Sequence, residues 1–263
     1  MLKTIFFIDS KKECIFAFQR DSVMQAFIPA AGLGTRLFPF TEHRPKALVE
    51  VGGVPLLKIA IDNLTRQGIS RIVVNVHHFA DMICDYITNH SWNAEVIISD
   101  ERNQLLDTGG GLKKAASLFS NTEPILIHNV DVLSRIQFSD LYQNHKSDNN
   151  FITLAVCKRS TSRYLLFNQV RQLVGWSNQK SGEIKWVFSE DPQFEQLAFS
   201  GIAVVEPQTL ELMPPCNRPY PIVPVYLDIA KNHRISYFQH RTQDWLDVGT
   251  PDRLLQAQQW FHS

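Results

Sequence analysis

Short apolar runs alternating with helical segments of about ten residues constrain the fold of this chain more than any other feature, and the alternation begins at Met24. Ala26-Phe27-Ile28 is a strand-like run that leads into a glycine-rich turn, Gly32-Leu33-Gly34. Residues 55–67 have helical spacing: Leu57, Ile61 and Leu64 share a face, Pro55 opens the segment and Gly68 ends it. Residues 71–76 read as a strand, 80–89 as a helix with Ile83 and Ile87 on one face, and 95–98 as the next strand. A third unit runs from Leu112-Lys113-Lys114-Ala115-Ala116 into Pro124-Ile125-Leu126-Ile127-His128. Strands joined through helices of this length imply βαβ crossovers, and hence an α/β fold on a mostly parallel sheet.

Beyond Phe151 the character changes. Residues 152–156, 164–167 and 172–176 are closely spaced strand candidates, and Asn178-Gln179-Lys180-Ser181-Gly182 is a turn leading into 185–188 as a hairpin. Residues 198–205 read as a buried strand, 223–233 as a helix, and 252–261 as a closing helix behind Pro251. No repeat or low-complexity linker divides the chain. The expected organisation is one domain over 24–263, with halves 24–135 and 136–263, the second adding a small substrate-side sheet. Residues 1–23 fit neither half. Either translation starts at Met24, or the segment is an appended strand or a flexible arm.

Composition narrows the function classes. The 26 basic and 26 acidic side chains cancel, while 44% hydrophobic and 20% charged residues are values of a globular chain, not a disordered one. A neutral balance argues against nucleic acid as the main partner, but not against a small anion held by a few local cations. Cys14, Cys84, Cys157 and Cys216 form no C-x-x-C pair, so neither a zinc site nor a disulfide framework is expected. No stretch approaches the ~18–20 apolar residues of a membrane span, and Thr4-Ile5-Phe6-Phe7-Ile8 is shorter than a signal-peptide core. A cytoplasmic protein without membrane contact is expected.

The most informative stretch is Pro29-Ala30-Ala31-Gly32-Leu33-Gly34-Thr35-Arg36-Leu37-Phe38-Pro39-Phe40-Thr41. A strand that turns through small residues exposes successive backbone N–H groups, which can cradle a phosphate chain. A dinucleotide fingerprint needs a third glycine where Leu37 stands and a helix directly after the turn, and Pro39 opposes both. A Walker loop needs Gly-Lys-Ser/Thr, which is absent. What remains is a phosphate turn with Arg36 beside it and Pro45-Lys46 ten residues on.

These residues carry a resemblance. Gly32-Leu33-Gly34-Thr35-Arg36-Leu37-x-Pro39-x-Thr41, then Arg44-Pro45-Lys46-Ala47-Leu48-Val49-x-Val51 and Pro55-Leu56, resembles the opening pattern of sugar-1-phosphate nucleotidyltransferases. The resemblance implies a Rossmann-like nucleotidyltransferase fold whose first half binds a nucleoside triphosphate and whose second half binds a sugar-1-phosphate. It places the triphosphate on Ala30, Ala31, Gly32, Gly34 and Thr35, with Arg36 and Lys46 neutralising its phosphates. The family's metal-binding aspartate falls on Asp131, although Val130 stands where a glycine is usual, and the family's late Asp-Val-Gly-Thr matches Asp247-Val248-Gly249-Thr250. Asp131 and Asp247 would then hold Mg²⁺, a hard ion that binds few carboxylates and keeps substrate phosphates as further ligands.

Asp107-Thr108-Gly109-Gly110-Gly111-Leu112 resembles the family's base-reading loop, with the triple glycine ahead of a helix. Its form, together with Phe199-Ser200-Gly201, is most similar to the short N-acetylmuramate-1-phosphate uridylyltransferases; by resemblance Asn129 and Gly201 face the sugar. The Glu-Lys-Pro of hexose-1-phosphate members has Ser189-Glu190-Asp191-Pro192 as its nearest counterpart, without the lysine. Mannose- or heptose-1-phosphate guanylyltransferase, glucose-1-phosphate nucleotidyltransferase and phosphocholine cytidylyltransferase remain alternatives, as does a nucleotide-sensing subunit on the same fold. His77-His78 reads as a loop-end pair and not a metal site, since neighbours on a strand face opposite ways. Oligomeric state is open.

Overall fold

The computed structural model describes residues 24–189 and 193–262. Residues 1–23 and 190–192 lie outside the described residues, and with them the questions of the N-terminal segment and of the Glu-Lys-Pro counterpart.

The first half is built as the sequence pattern requires. Strand β1 (Gln25–Pro29) enters the phosphate turn, and a short hairpin of β2 (Glu50–Val51) and β3 (Val54–Pro55) leads into helix α1 (Leu56–Arg66). Then follow β4 (Arg71–Val76), α2 (Ala80–Thr88), β5 (Glu95–Asp100), α3 (Asp107–Lys114), β6 (Ile125–His128), β7 (Val132–Ser134) and α4 (Phe138–Ser147). Helix α1 buries Leu57, Ala60, Ile61 and Leu64, and it stops at Gly68, whose φ of 89° lets the chain turn back.

The second half contains β8 (Ile152–Cys157), β9 (Arg163–Asn168), β10 (Leu173–Asn178), β11 (Glu183–Trp186), β12 (Phe194–Val205), α5 (Thr209–Leu212), α6 (Ile222–Ile229), β13 (Ile235–Gln239), β14 (Trp245–Asp247) and α7 (Pro251–His262). The expected hairpin is present as β10–β11. The expected 223–233 helix is shorter, because after Ile229 the chain closes into a turn in which His233 N donates to Ile229 O.

One ten-stranded mixed sheet runs β11-β10-β9-β12-β6-β1-β4-β5, with β8 paired to β12 and β13 paired in turn to β8. The strands β5, β4, β1 and β6 are parallel, as crossovers through helices demand, whereas β12 joins β6, β8 and β9 antiparallel. The expected substrate-side sheet is therefore an extension of the main sheet through β9–β11, while the separate small sheets are β2–β3 and β7–β14.

Side chains on alternate positions of β1 face opposite layers. Phe27 packs with Leu112, Tyr226 and Ile127 on one face, and Ala26 and Ile28 pack with Leu57, Ile61, Ile83 and Phe138 on the other. Burial on both faces explains why the strands are near-continuous apolar runs. A third apolar cluster holds α7 to the small sheets through Leu37, Val51, Leu133, Leu246, Val248 and Leu254.

Chain order reverses at β1: β4 and β5 lie to one side and β6 to the other. In open α/β sheets such a switch point leaves a crevice beyond the strand C-termini, where ligands sit.

Candidate active site

A cleft of about 460 Å³ opens at that switch point, lined from β1 by Pro29, Ala30, Ala31 and Gly32, and from β6 by Asn129, Val130 and Asp131. Lys46, Asn75, Leu105, Asp107, Thr108 and Pro219 complete its wall.

The glycine-rich turn after β1 is shaped by Gly34 and Thr41. Gly34 has φ 69°, and a Cβ there would lie 2.9 Å from the Thr41 side chain. The Thr41 hydroxyl donates to Gly34 O at 2.9 Å, which gives the motif's late threonine its purpose. Ala30 N and Ala31 N do not point at a ligand; both donate to Asn75 Oδ1, at 2.7 and 3.3 Å. Among the described residues nothing accepts from the N–H groups of Gly32, Leu33 or Gly34, so these are the donors left for an anion.

The two aspartates meet through the small sheet. Strand β14 pairs antiparallel with β7 and sets Asp247 opposite Val132, next to Asp131, and Val248 N donates to Asp131 O at 2.8 Å. Lys46 Nζ contacts Asp131 Oδ2, both side chains being largely covered. Burial raises the Asp247 pKa and the neighbouring Asp131 carboxylate raises it further, while Lys46 and Arg36 pull it down. Asp247 Oδ1 is buried and, among the described residues, has no hydrogen-bond partner. Gly249 fits beneath: a Cβ would lie 2.6 Å from Asp247 Oδ1 and 3.1 Å from Arg36 Nη2. Four residues from the start, middle and end of the sequence, Arg36, Lys46, Asp131 and Asp247, thus form one cluster beside the cleft.

Gly201 is placed by a bend in β12. Its φ of 71° interrupts the pairing with β8, its carbonyl accepts from Asn129 N at 2.9 Å, and a Cβ would strike the Asn129 amide at 2.6 Å. Asn129 lines the cleft while Gly201 supports it from behind.

The triple glycine requires a correction. Gly109, Gly110 and Gly111 lie inside α3 and not ahead of it. Gly109 N and Gly110 N both donate to Tyr220 O, so neither is available to a base. Glycine is needed because the 213–221 segment crosses directly over the helix: a Cβ at Gly109 would lie 2.6 Å from the Tyr220 ring. Asp107 and Thr108, at the helix start, do reach the cleft.

Sequence reasoning passed over Asn75, Glu101 and Pro219. An amide inside the apolar run of β4 was the one available signal for Asn75. His128 is wholly buried against Phe138, and burial lowers its pKa to about 4; it takes no part in the cluster. His77 sits past the end of β4 with its Nδ1 2.8 Å from Glu101 O, as a loop-end residue.

An α/β sheet with a phosphate turn, two cations and two carboxylates at its switch point defines a nucleotide-handling class of protein. The chain belongs to the nucleotidyl transferase family, whose model matches residues 25–263. It is 30% identical over 237 residues to N-acetylmuramate alpha-1-phosphate uridylyltransferase of Neisseria meningitidis serogroup B, covering 89% of this chain and 97% of that one. The Caulobacter vibrioides enzyme of the same name is 29% identical over 239 residues, or 89% and 95% of the two chains. HddC from Yersinia pseudotuberculosis, solved in complex with GMP-PN, has the same fold, with a TM-score of 0.71 at 20% identity over 91% of this chain and 100% of that one.

Proposed function

We propose that this nucleotidyl transferase joins UTP to N-acetylmuramate-1-phosphate, giving a nucleotide sugar and pyrophosphate. The observation that carries the reading is the convergence of Arg36, Lys46, Asp131 and Asp247 beside a cleft whose turn leaves the N–H groups of Gly32, Leu33 and Gly34 without an acceptor among the described residues. The choice of base and sugar is supported by similarity to the two uridylyltransferases over nearly nine-tenths of the chain.

In this reading a phosphate oxygen of the sugar-1-phosphate attacks the α-phosphorus of the triphosphate in line. One P–O bond forms, the bond to the bridging oxygen of the β-phosphate breaks, and its electrons leave with pyrophosphate. No protein nucleophile is needed; the chain positions the reactants and stabilises charge. The free N–H groups cradle the phosphates, Lys46 supplies a compact charge anchored by Asp131, and Arg36 a planar fork. Asp107 and Thr108 face the base end of the cleft, and Asn129 the sugar side.

The carboxylate pair fits Mg²⁺. Among the described residues Asp247 Oδ1 is a buried oxygen without a hydrogen-bond partner, and the burial and Asp131 repulsion that raise the Asp247 pKa are what a divalent cation offsets. Among the described residues no third His, Cys, Asp or Glu joins them, which suits an ion that completes its shell with water and substrate. When bound, Mg²⁺ would supply Lewis-acid stabilisation of charge on the phosphate oxygens.

Pyrophosphate release, assayed over a panel of triphosphates and phosphate acceptors, tests the reading. The highest kcat/KM is expected for UTP with N-acetylmuramate-1-phosphate. A higher value for another pair, such as GTP with mannose-1-phosphate, would overturn the specificity, and no release with any pair would overturn the activity.

A further inference from the structure

One line of hydrogen bonds ties together the ends of the three adjacent strands β1, β4 and β5. At its centre, the Asn75 amide accepts from Ala30 N and Ala31 N through Oδ1, and donates through Nδ2 to Glu101 Oε1 at 2.7 Å. Glu101 Oε2 accepts from Leu106 N at 3.2 Å, at the entry to α3. The line therefore begins at the phosphate turn and ends one residue before Asp107, at the base end of the cleft. Asn75 and Glu101 are 2% and 0% exposed. Glycine at 111 keeps α3 close to them: a Cβ there would lie 2.5 Å from Asn75 Nδ2 and 2.6 Å from Glu101 Oε1.

The polarity of the line admits few alternatives. Ala30 N is a donor, so Asn75 must turn its oxygen to the turn and its NH₂ to Glu101. Leu106 N is also a donor, so Glu101 must accept at both oxygens, which among side chains of this length only a carboxylate does. A wholly buried carboxylate that makes no ion pair among the described residues is expensive to hold, because burial opposes its charge. A hydrophobic pair would serve packing better. A carboxylate at this position can orient the turn after β1 and the start of α3 together.

We propose that Glu101 and Asn75 are positioning residues for the triphosphate: Glu101 fixes the Asn75 amide, Asn75 holds Ala30 and Ala31 so that the next N–H groups face the phosphates, and Glu101 sets the register of Asp107 and Thr108. This rests on the nucleotidyl-transfer reading above. Neither residue touches the reacting atoms, so the effect falls on the triphosphate and spares the sugar phosphate.

Steady-state kinetics on the full chain, with thermal unfolding of each variant, tests it. In E101Q one oxygen becomes a donor facing either Asn75 Nδ2 or Leu106 N, and in N75D two carboxylates face each other. Each single variant is expected to lower kcat/KM for UTP by about tenfold or more, with the KM for the sugar-1-phosphate within twofold of wild type. The double variant N75D/E101Q restores every pairing: the new amide donates to the new carboxylate and accepts from Leu106 N, at unchanged net charge. It is expected to recover kcat/KM for UTP to within about threefold of wild type.

Single variants that leave kcat/KM for UTP within twofold, or that damage both substrates equally, would overturn the proposal. So would a double variant no better than the singles. Should E101Q not fold, the double variant carries the test alone. Folded and near wild type, it supports positioning; folded and impaired for UTP, or unfolded, it overturns it. A wild-type chain that releases no pyrophosphate would instead be a failure of the functional reading, seen before any variant is made.

Discussion

Gly249→Ala is the perturbation that most directly separates the geometry of the carboxylate pair from the stability of the fold. Glycine at this position has no left-handed backbone to preserve, so alanine is compatible with the chain path. The added Cβ would lie 2.6 Å from Asp247 Oδ1, 3.1 Å from Arg36 Nη2 and 3.4 Å from Arg36 Cζ. Ordinary contact begins near 3.4 Å, so the carboxylate oxygen must retreat by about 0.8 Å, the difference between 3.4 and 2.6. Among the described residues no hydrogen bond holds Oδ1, so it moves by side-chain rotation at little cost to folding. The movement takes the carboxylate out of register with Asp131. A misplacement of about 1 Å at such a centre costs ~10²-fold in rate, or ~2.7 kcal/mol of barrier. Stability should hold or rise slightly, by ~0.4–1 kcal/mol, through the reduced freedom of the unfolded chain. Pyrophosphate release at saturating substrates, read beside thermal unfolding, is the assay. A kcat within about threefold of wild type would refute the claim that the space at residue 249 is reserved for the position of Asp247.

Three further outcomes follow from the same geometry. Asp131→Ala removes the partner of Lys46 and half of the carboxylate pair, so kcat should fall by ~10²–10³ with the unfolding temperature retained; substantial turnover would sink the assigned role. Gly109→Ala drives a methyl to 2.6 Å from the Tyr220 ring and displaces the 213–221 segment, so KM for the triphosphate should rise about tenfold while that for the sugar phosphate holds; an unchanged triphosphate KM would count against that segment as a wall of the cleft. His128 is held neutral, its pKa lowered by burial from 6.5 to about 4, so the unfolded chain takes up its proton first on acidification. Its contribution is full above pH 6.5 and is lost as pH falls to about 4, by ~3 kcal/mol; buried His145 and His240 shift the same way. Thermal unfolding of wild type and His128→Leu between pH 8 and 4 should differ in slope, and equal slopes would remove His128 as a source of acid sensitivity.

The elements that set the site were mostly legible because their signals are local. Pro55, the Leu57-Ile61-Leu64 face and Gly68 specify α1 within one residue at either end, since capping and periodicity are properties of neighbouring residues. The glycine turn was equally plain as a turn, because its glycines, Arg36 and Lys46 lie within a short stretch, while its expected phosphate role came from the resemblance. The triple glycine misled. Glycine usually marks a turn or an exposed backbone, yet here it marks the closeness of Tyr220, a residue more than a hundred positions away, and that closeness has no local trace. The β9–β11 strands were visible as strands, but whether they form a separate sheet or extend the main one depends on which edge they meet.

The sequence by itself determined the α/β class, because strand and helix periodicity are short-range; the glycine turn with Arg36 and Lys46 and the two aspartates were marked by resemblance to the family's motifs. Only the tertiary structure decided which groups work together. Pairing of β14 with β7 brings Asp247 to Asp131, and the bend at Gly201 brings β12 against Asn129. Adjacency of β1, β4 and β5 lets Asn75 and Glu101 claim the N–H groups of Ala30 and Ala31, moving the free donors one step along the turn. The physical reason is that every buried donor and acceptor needs a partner, and partners are assigned by contacts between segments that are distant in sequence.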